Sequence, residues 1–213
     1  MVSLNGKTNL EYRCDHIHTE ISTPAPKRSS IDIPLQDGTL DLTNNLSSTI
    51  FYGDRTIKIG LEMRGLREDW PIYFSKLLED IHGQSVRVEF QNDPNYYWIG
   101  YAEVGQPKDN GASQNITITI TAKPFKRERA SEEVYSGTVI GDVSTTINVR
   151  CMRAYLTFNT SAAGATITYD GQTWSLPSGE STAFGLVLLP GSNALTLHGS
   201  GQTISITKTE AML

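Results

Sequence analysis

Between Ile116 and Ile120 the chain reads Ile-Thr-Ile-Thr-Ile, and from Thr56 to Met63 it reads Thr-Ile-Lys-Ile-Gly-Leu-Glu-Met. Apolar residues at every second position turn one face of an extended strand toward a core and leave the other to water. The same period returns at Ser85–Phe90, with Val86, Val88 and Phe90 inward, and again at Tyr97–Val104. Asp93-Pro94-Asn95 and Asn110-Gly111 supply turn chemistry between these runs. A chain patterned this way is committed to antiparallel sheet over most of its first half.

Helical period appears once. Trp70, Tyr73, Phe74, Leu77, Leu78 and Ile81 fall at i, i+3, i+4, i+7, i+8 and i+11, which turns all six onto one helix face. Asp69 stands where an N-cap belongs, Pro71 is tolerated in the first turn, and Gly83 suits the stop. The stripe reads as core, so the helix is expected to cover the sheet.

The chain changes character near residue 125. Lys and Arg number 15 and Asp and Glu 17 up to Arg129, but only 3 and 6 from Ala130 onward, where Ser, Thr, Gly and Ala dominate. Pro124–Gly137, charged and without apolar period, reads as a linker between domains 1–129 and 130–213. Beyond it only strands are expected: Ala154–Phe158, Ala165–Tyr169, Gln172–Leu176, Ala183–Leu189, Ala194–Leu197 and Thr203–Thr207. Asp170-Gly171 is the strongest hairpin signal in the chain, and Pro190–Asn193 makes another turn. Short strands at this spacing predict a small β-sandwich.

Chemistry is sparse by comparison. The formal charge of −5 disfavours nucleic acid, because a net anion gains nothing from counterion release. No window approaches the roughly 18 apolar residues of a membrane helix, so membrane insertion is not expected. Met1–Lys7 shows no secretory signal. Two cysteines, Cys14 and Cys151, are too few for a disulfide framework and are expected to be reduced. Cys14, His16 and His18 would share one face of a straight strand, but ligands about 6.6 Å apart and parallel do not converge on one ion, so no metal is expected.

No nucleophile–base arrangement or phosphate loop is present, so neither catalytic residues nor a cofactor are assigned and the chain is not expected to be an enzyme. The basic run Lys123, Lys126, Arg127 and Arg129 is followed at once by Glu132-Glu133 and reads as solvated linker. Tyr169 and Trp174, on the arms of the Asp170-Gly171 hairpin, are either core residues of a small sandwich or a platform for a sugar ring.

One longer pattern is more specific. Ile33-Pro34-Leu35-Gln36-Asp37-Gly38-Thr39-Leu40-Asp41 is followed by Tyr52 and Arg55 on a strand, then by the helix with its Leu77-Leu78. Asp93-Pro94-Asn95-Tyr96-Tyr97 comes next, and the series closes at Pro124-Phe125. Pro34 pins φ and Asp37-Gly38 makes a tight turn, while Tyr96-Tyr97-Trp98 offers a wide aromatic surface suited to protein contacts if it is exposed. In order and spacing these elements resemble the N-terminal domain of siphophage distal tail proteins, over about residues 10–125.

That resemblance implies a mainly β fold: an antiparallel, split-barrel-like sheet with one packed α-helix, then a small C-terminal β-sandwich of galectin-like or carbohydrate-module-like type. It further implies a structural virion protein, assembled in the host cytoplasm and placed at the tail tip of a phage or prophage. There it would form a ring, usually a hexamer, that meets the tail tube protein, the tail-tip hub and receptor-binding proteins. The competing reading is a free-standing carbohydrate-binding sandwich, with function in Tyr169 and Trp174.

Overall fold

Ser85–Phe90 becomes a strand residue for residue, while the runs at Thr56–Met63, Tyr97–Val104 and Ile116–Ile120 become longer strands because backbone pairing continues past the pattern. The computed structural model describes residues 1–32, 37–41 and 50–213. They form a mainly β chain with one α-helix, divided into two compact units, Met1–Pro124 and Phe125–Leu213.

In the first unit the strands are β1 (Val2–Leu4), β2 (Lys7–Thr8), β3 (Cys14–Ile21), β4 (Ser30–Asp32), β5 (Thr39–Asp41), β6 (Arg55–Met63), β7 (Ser85–Phe90), β8 (Tyr96–Val104), β9 (Lys108–Asp109) and β10 (Gln114–Ala122). An open antiparallel sheet runs in the order β2-β1-β7-β8-β10-β6-β3. Ile116, Ile118 and Ile120 pair with Leu61, Ile59 and Ile57, so the two most regular runs bury their apolar faces side by side. Asp93–Tyr96 is a turn in which the Tyr96 amide donates to the Asp93 carbonyl at 3.2 Å.

Helix α1 (Trp70–Ile81) lies on that core as its period requires: Trp70, Leu77 and Ile81 are buried, and Tyr73, Phe74 and Leu78 pack beside them. Pro71 sits in the first turn as expected. Asp69 does not cap the helix, because its own backbone is already helical and its side chain accepts none of the free amides. The other end is tied to β8, whose Val104 amide donates to His82 Nδ1 at 3.1 Å.

The second unit holds β11 (Lys126–Glu128), β12 (Glu132–Val149), β13 (Arg153–Thr160), β14 (Ala165–Tyr169), β15 (Gln172–Leu176), β16 (Gly179–Leu188) and β17 (Gly191–Met212). Its frame is the pairing of β12 with β17, which runs from Glu132 opposite Lys208 to Val149 opposite Gly191 and shifts register at Val139/Ile140. The later half of β17 also pairs with β13, which pairs with β16; the earlier half pairs with β14, and β14 with β15. Leu156, Phe158, Ile167, Leu186, Leu197 and Ile206, from β13, β14, β16 and β17, share one core. Asp170 and Gly171 both take positive φ, at 48° and 73°, as a two-residue hairpin turn requires.

Two expectations are corrected here. Pro124–Gly137 is not a linker, since Lys126 and Arg127 pair with Met212 and Ala211 and β12 begins at Glu132. Its charged side chains hid a strand that is held by backbone pairing, by the Glu132–Lys208 ion pair and by Val134 and Tyr135 packing on the core. Likewise Ala194–Leu197 and Thr203–Thr207 are parts of one 22-residue strand, because Gly201, at φ +114°, is bulged out between Ser200 and Gln202 without ending the pairing.

Candidate functional site

The Asp37-Gly38 step lies where the sequence put a turn. Ser30, Ile31 and Asp32 pair with Asp41, Leu40 and Thr39, and Gly38, at φ +80°, stands at the entry to β5. Ile33 and Pro34 lie outside the described residues. Backbone pairing carries this hairpin back to the sheet. Lys27 donates to the Phe51 carbonyl at 2.7 Å, Gly53 to Ala25 at 2.8 Å, and Ser22 to Thr56 at 2.9 Å, so residues 22–27 and 51–56 form an irregular two-stranded arm that extends β3 and β6.

Exposed apolar side chains gather along this arm and on β3, which among the described residues pairs with β6 alone. Ile17, Ile21, Ile31, Ile50 and Phe51 are between 43% and 55% exposed. An unpaired sheet edge carrying apolar residues is a ready surface for another chain. Neither the arm nor this exposure could be read from period alone, because it depends on which strands pair across the sheet.

The strand bearing Cys14, His16 and His18 does not present them together. A register shift falls between His16 and His18, which sets His16 opposite Leu61 and His18 opposite Gly60, on opposite faces of β6. The His18 ring fills the space over Gly60, where a Cβ would meet Cε1 at 2.3 Å. His16 Nε2 and Thr19 Oγ1 are hydrogen-bonded at 2.7 Å. Cys14 donates its thiol to the Tyr12 carbonyl at 3.3 Å, and burial followed by the nearby Asp15 charge pushes its pKa up to about 12. The expected shared face is therefore wrong: a bulge inserts one residue and reverses every side chain after it.

The Asp93–Tyr97 turn is also less exposed than expected. Trp98 is buried beneath the Arg55 guanidinium, 4.3 Å from its ring centre, and Tyr97 lies half-buried against Arg87 at 3.9 Å. Tyr96, Tyr97 and Trp98 do not form one surface, because neighbouring strand residues face opposite ways. Pro94 stays exposed at the turn.

In the second unit Tyr169 and Trp174 pack against the core. The Tyr169 hydroxyl donates to Asn193 Oδ1 at 2.7 Å, and the Trp174 indole donates to the Phe184 carbonyl at 2.9 Å. Both polar atoms are thus occupied in holding neighbouring strands, and each ring is half-covered.

Sequence reading missed a cluster around Glu210, which is only 1% exposed. Lys208 Nζ donates to Glu210 Oε1 at 2.8 Å and to the Asn148 carbonyl at 2.8 Å, and lies 3.1 Å from Glu132. The Cys151 amide donates to Glu210 Oε2 at 3.0 Å and the Arg150 amide to Oε1 at 3.3 Å. Burial pushes the Glu210 carboxyl up, but the bonds from Lys208, Cys151 and Arg150 outweigh it and hold the pKa down at about 2.

Glu128, Cys151 and Glu210 offer ligand atoms within 4.8 Å of one another. The geometry still favours a lock over a metal centre, because Lys208 already neutralises Glu210. Burial and the bond to Glu210 push the Cys151 thiol up to about 11, leaving it protonated. Protein purified without a histidine tag is expected to carry less than about a tenth of an equivalent of zinc by elemental analysis. A stoichiometric ion lost on Cys14→Ser or Cys151→Ser would contradict that geometry.

No family model and no curated protein matches the chain. Among solved structures, it is similar to the Dit (gp 19.1) protein of phage SPP1, described as a hub of the adsorption apparatus in phages infecting Gram-positive bacteria. The likeness covers 100% of this chain and 98% of that one, with a TM-score of 0.61 and 16% identity. A conserved protein of unknown function from Pseudomonas aeruginosa PAO1 aligns at a TM-score of only 0.29 and 11% identity, and carries no weight. The chain therefore has a phage-tail-like fold, from its first strand to its last.

Proposed function

We propose that this protein is a structural hub at the tail tip of a long, non-contractile-tailed phage or prophage. The observation that carries the reading is the end-to-end likeness of both units, in one chain, to a phage adsorption-apparatus hub. The sequence pattern from Ile33 to Phe125 points to the same family. In this reading the first unit closes into a ring, a hexamer, that continues the tail tube. The second unit offers surfaces to the tail-tip hub and the receptor-binding proteins. The work asked of the chain is assembly and not catalysis.

The surface fits such a role. The exposed edge β3 and its arm give the first unit an apolar strip that a protomer alone leaves in water. A net charge of −5 suits a protein beside a DNA conduit, since excess carboxylates do not retain passing phosphates. No helix of the described residues is long and apolar enough to cross a membrane.

Two measurements test the assignment. Antibody labelling of assembled particles is expected to mark the tail tip, and electron microscopy of the concentrated protein to show rings of uniform size. Labelling elsewhere, with glycan binding by a monomer that never closes into rings, would replace the hub with a sugar-binding protein.

A further inference from the structure

The first unit carries two exposed surfaces of opposite charge, and we infer that the first docks on the second in a neighbouring copy of the same chain. This deepens the hub reading and rests on it. One surface is the arm, where Lys27 and Arg28 stand exposed next to the Phe51 rung and Ile31 is 53% exposed. The other is the outer side of α1 and the turn before it, where Glu68, Asp69 and Glu79 stand exposed beside Leu66 and Ile72, which are 71% and 66% exposed. Among the described residues none of these five charged side chains has an ion-pair partner.

The occupant follows from complementarity. Pro71, Ile72, Ser75, Lys76 and Glu79 line a shallow hollow of about 460 Å³ on the helix. Its cation, Lys76, lies 5.9 Å from the Tyr12 ring and keeps its charge, while Arg67 in the turn is paired with Asp109, so Glu68, Asp69 and Glu79 together outnumber Lys76 and the strip is net acidic. The arm supplies what that strip lacks: two cations close to exposed apolar side chains, with Asp32 further along at the hairpin. Apolar contact framed by opposite charge is the make-up of a specific protein interface. The two patches are different, so the contact is head-to-tail, and repeating it closes a ring when the rotation permits. Exposed Ile72 on an otherwise amphipathic helix, and exposed Leu66 in the turn before it, are thereby accounted for.

Charge exchange in the full-length protein tests this contact. The variants Lys27→Glu with Arg28→Glu, and separately Glu68→Lys with Asp69→Lys, are each expected to weaken self-association by about ten-fold or more, because like charges then face each other. Combining all four substitutions is expected to restore it. Ile31→Cys with Ile72→Cys should give a ladder of disulfide-linked chains under a mild thiol oxidant, while either cysteine alone should not. Rings that form equally well in both reversed variants, or a combination that stays dissociated, would overturn this contact and leave the hub standing. Wild-type protein that is monomeric at every concentration and absent from tail tips would remove both.

Discussion

Replacing Leu77 by Ala is expected to destabilise the first unit by about 2–5 kcal/mol, the cost of removing a fully buried leucine side chain and leaving a cavity. Leu77 is 0% exposed and lies on the face of α1 that also buries Trp70 and Ile81. The neighbouring residue makes the comparison sharp. Leu78 belongs to the same apolar stripe but is only partly covered, so Leu78→Ala is expected to cost less. Ile72, on the outer side, should change stability by no more than about 0.5 kcal/mol. Chemical denaturation of the three variants gives the order directly. A cost at Ile72 matching that at Leu77 would mean that the helix is rotated from the face described.

That order was partly legible in the sequence, and the reason is physical. A 3.6-residue period fixes which side of a helix is apolar, so it places all six of Trp70, Tyr73, Phe74, Leu77, Leu78 and Ile81 on the core face, where Trp70, Leu77 and Ile81 are buried and the other three only partly so. The period does not say how far from the centre of that stripe each residue falls, which separates Leu77 from Leu78. The strands of the first unit were legible for the same reason, since Ile116, Ile118 and Ile120 alternate without a break. His16 and His18 show where alternation misleads. One inserted residue between them reverses the faces, and nothing in Cys-Asp-His-Ile-His marks the insertion.

The second unit was harder to read because its longest strands are held by pairing more than by patterning. β12 is 18 residues long, yet Val139, Ile147 and Val149 are the positions where it is buried. Its register is set by β17, a partner more than forty residues away in sequence, and no local window contains that information. The exposed arm has the same character: Ile31 and Phe51 look like ordinary buried strand residues in the sequence, yet they are 53% and 55% exposed. The surfaces that matter for assembly were thus the least legible part. The overall class, sheet with one helix and then sheet alone, was the most.

Glu210→Ala is expected to be as damaging as any core truncation, costing about 3–5 kcal/mol, because it strands a buried partner. Lys208 is 6% exposed and would keep only Glu132, itself largely in solvent, and the Asn148 carbonyl. The amides of Arg150 and Cys151 would lose their acceptor as well, freeing the connection between β12 and β13. Replacing the pair together, Lys208→Met with Glu210→Leu, is expected to cost less than Glu210→Ala alone, since no unpaired charge is then left inside. Acid provides an independent readout. The folded-state carboxyl is held near 2, below its ordinary value of 4.5, so its contribution is complete above about pH 4.5 and is lost as pH falls toward 2. Denaturation midpoints of the wild type should therefore drop across that window more steeply than those of the doubly replaced protein. Equal slopes would show that Glu210 titrates as an ordinary surface acid and that the lock at the β12–β13 turn does not hold.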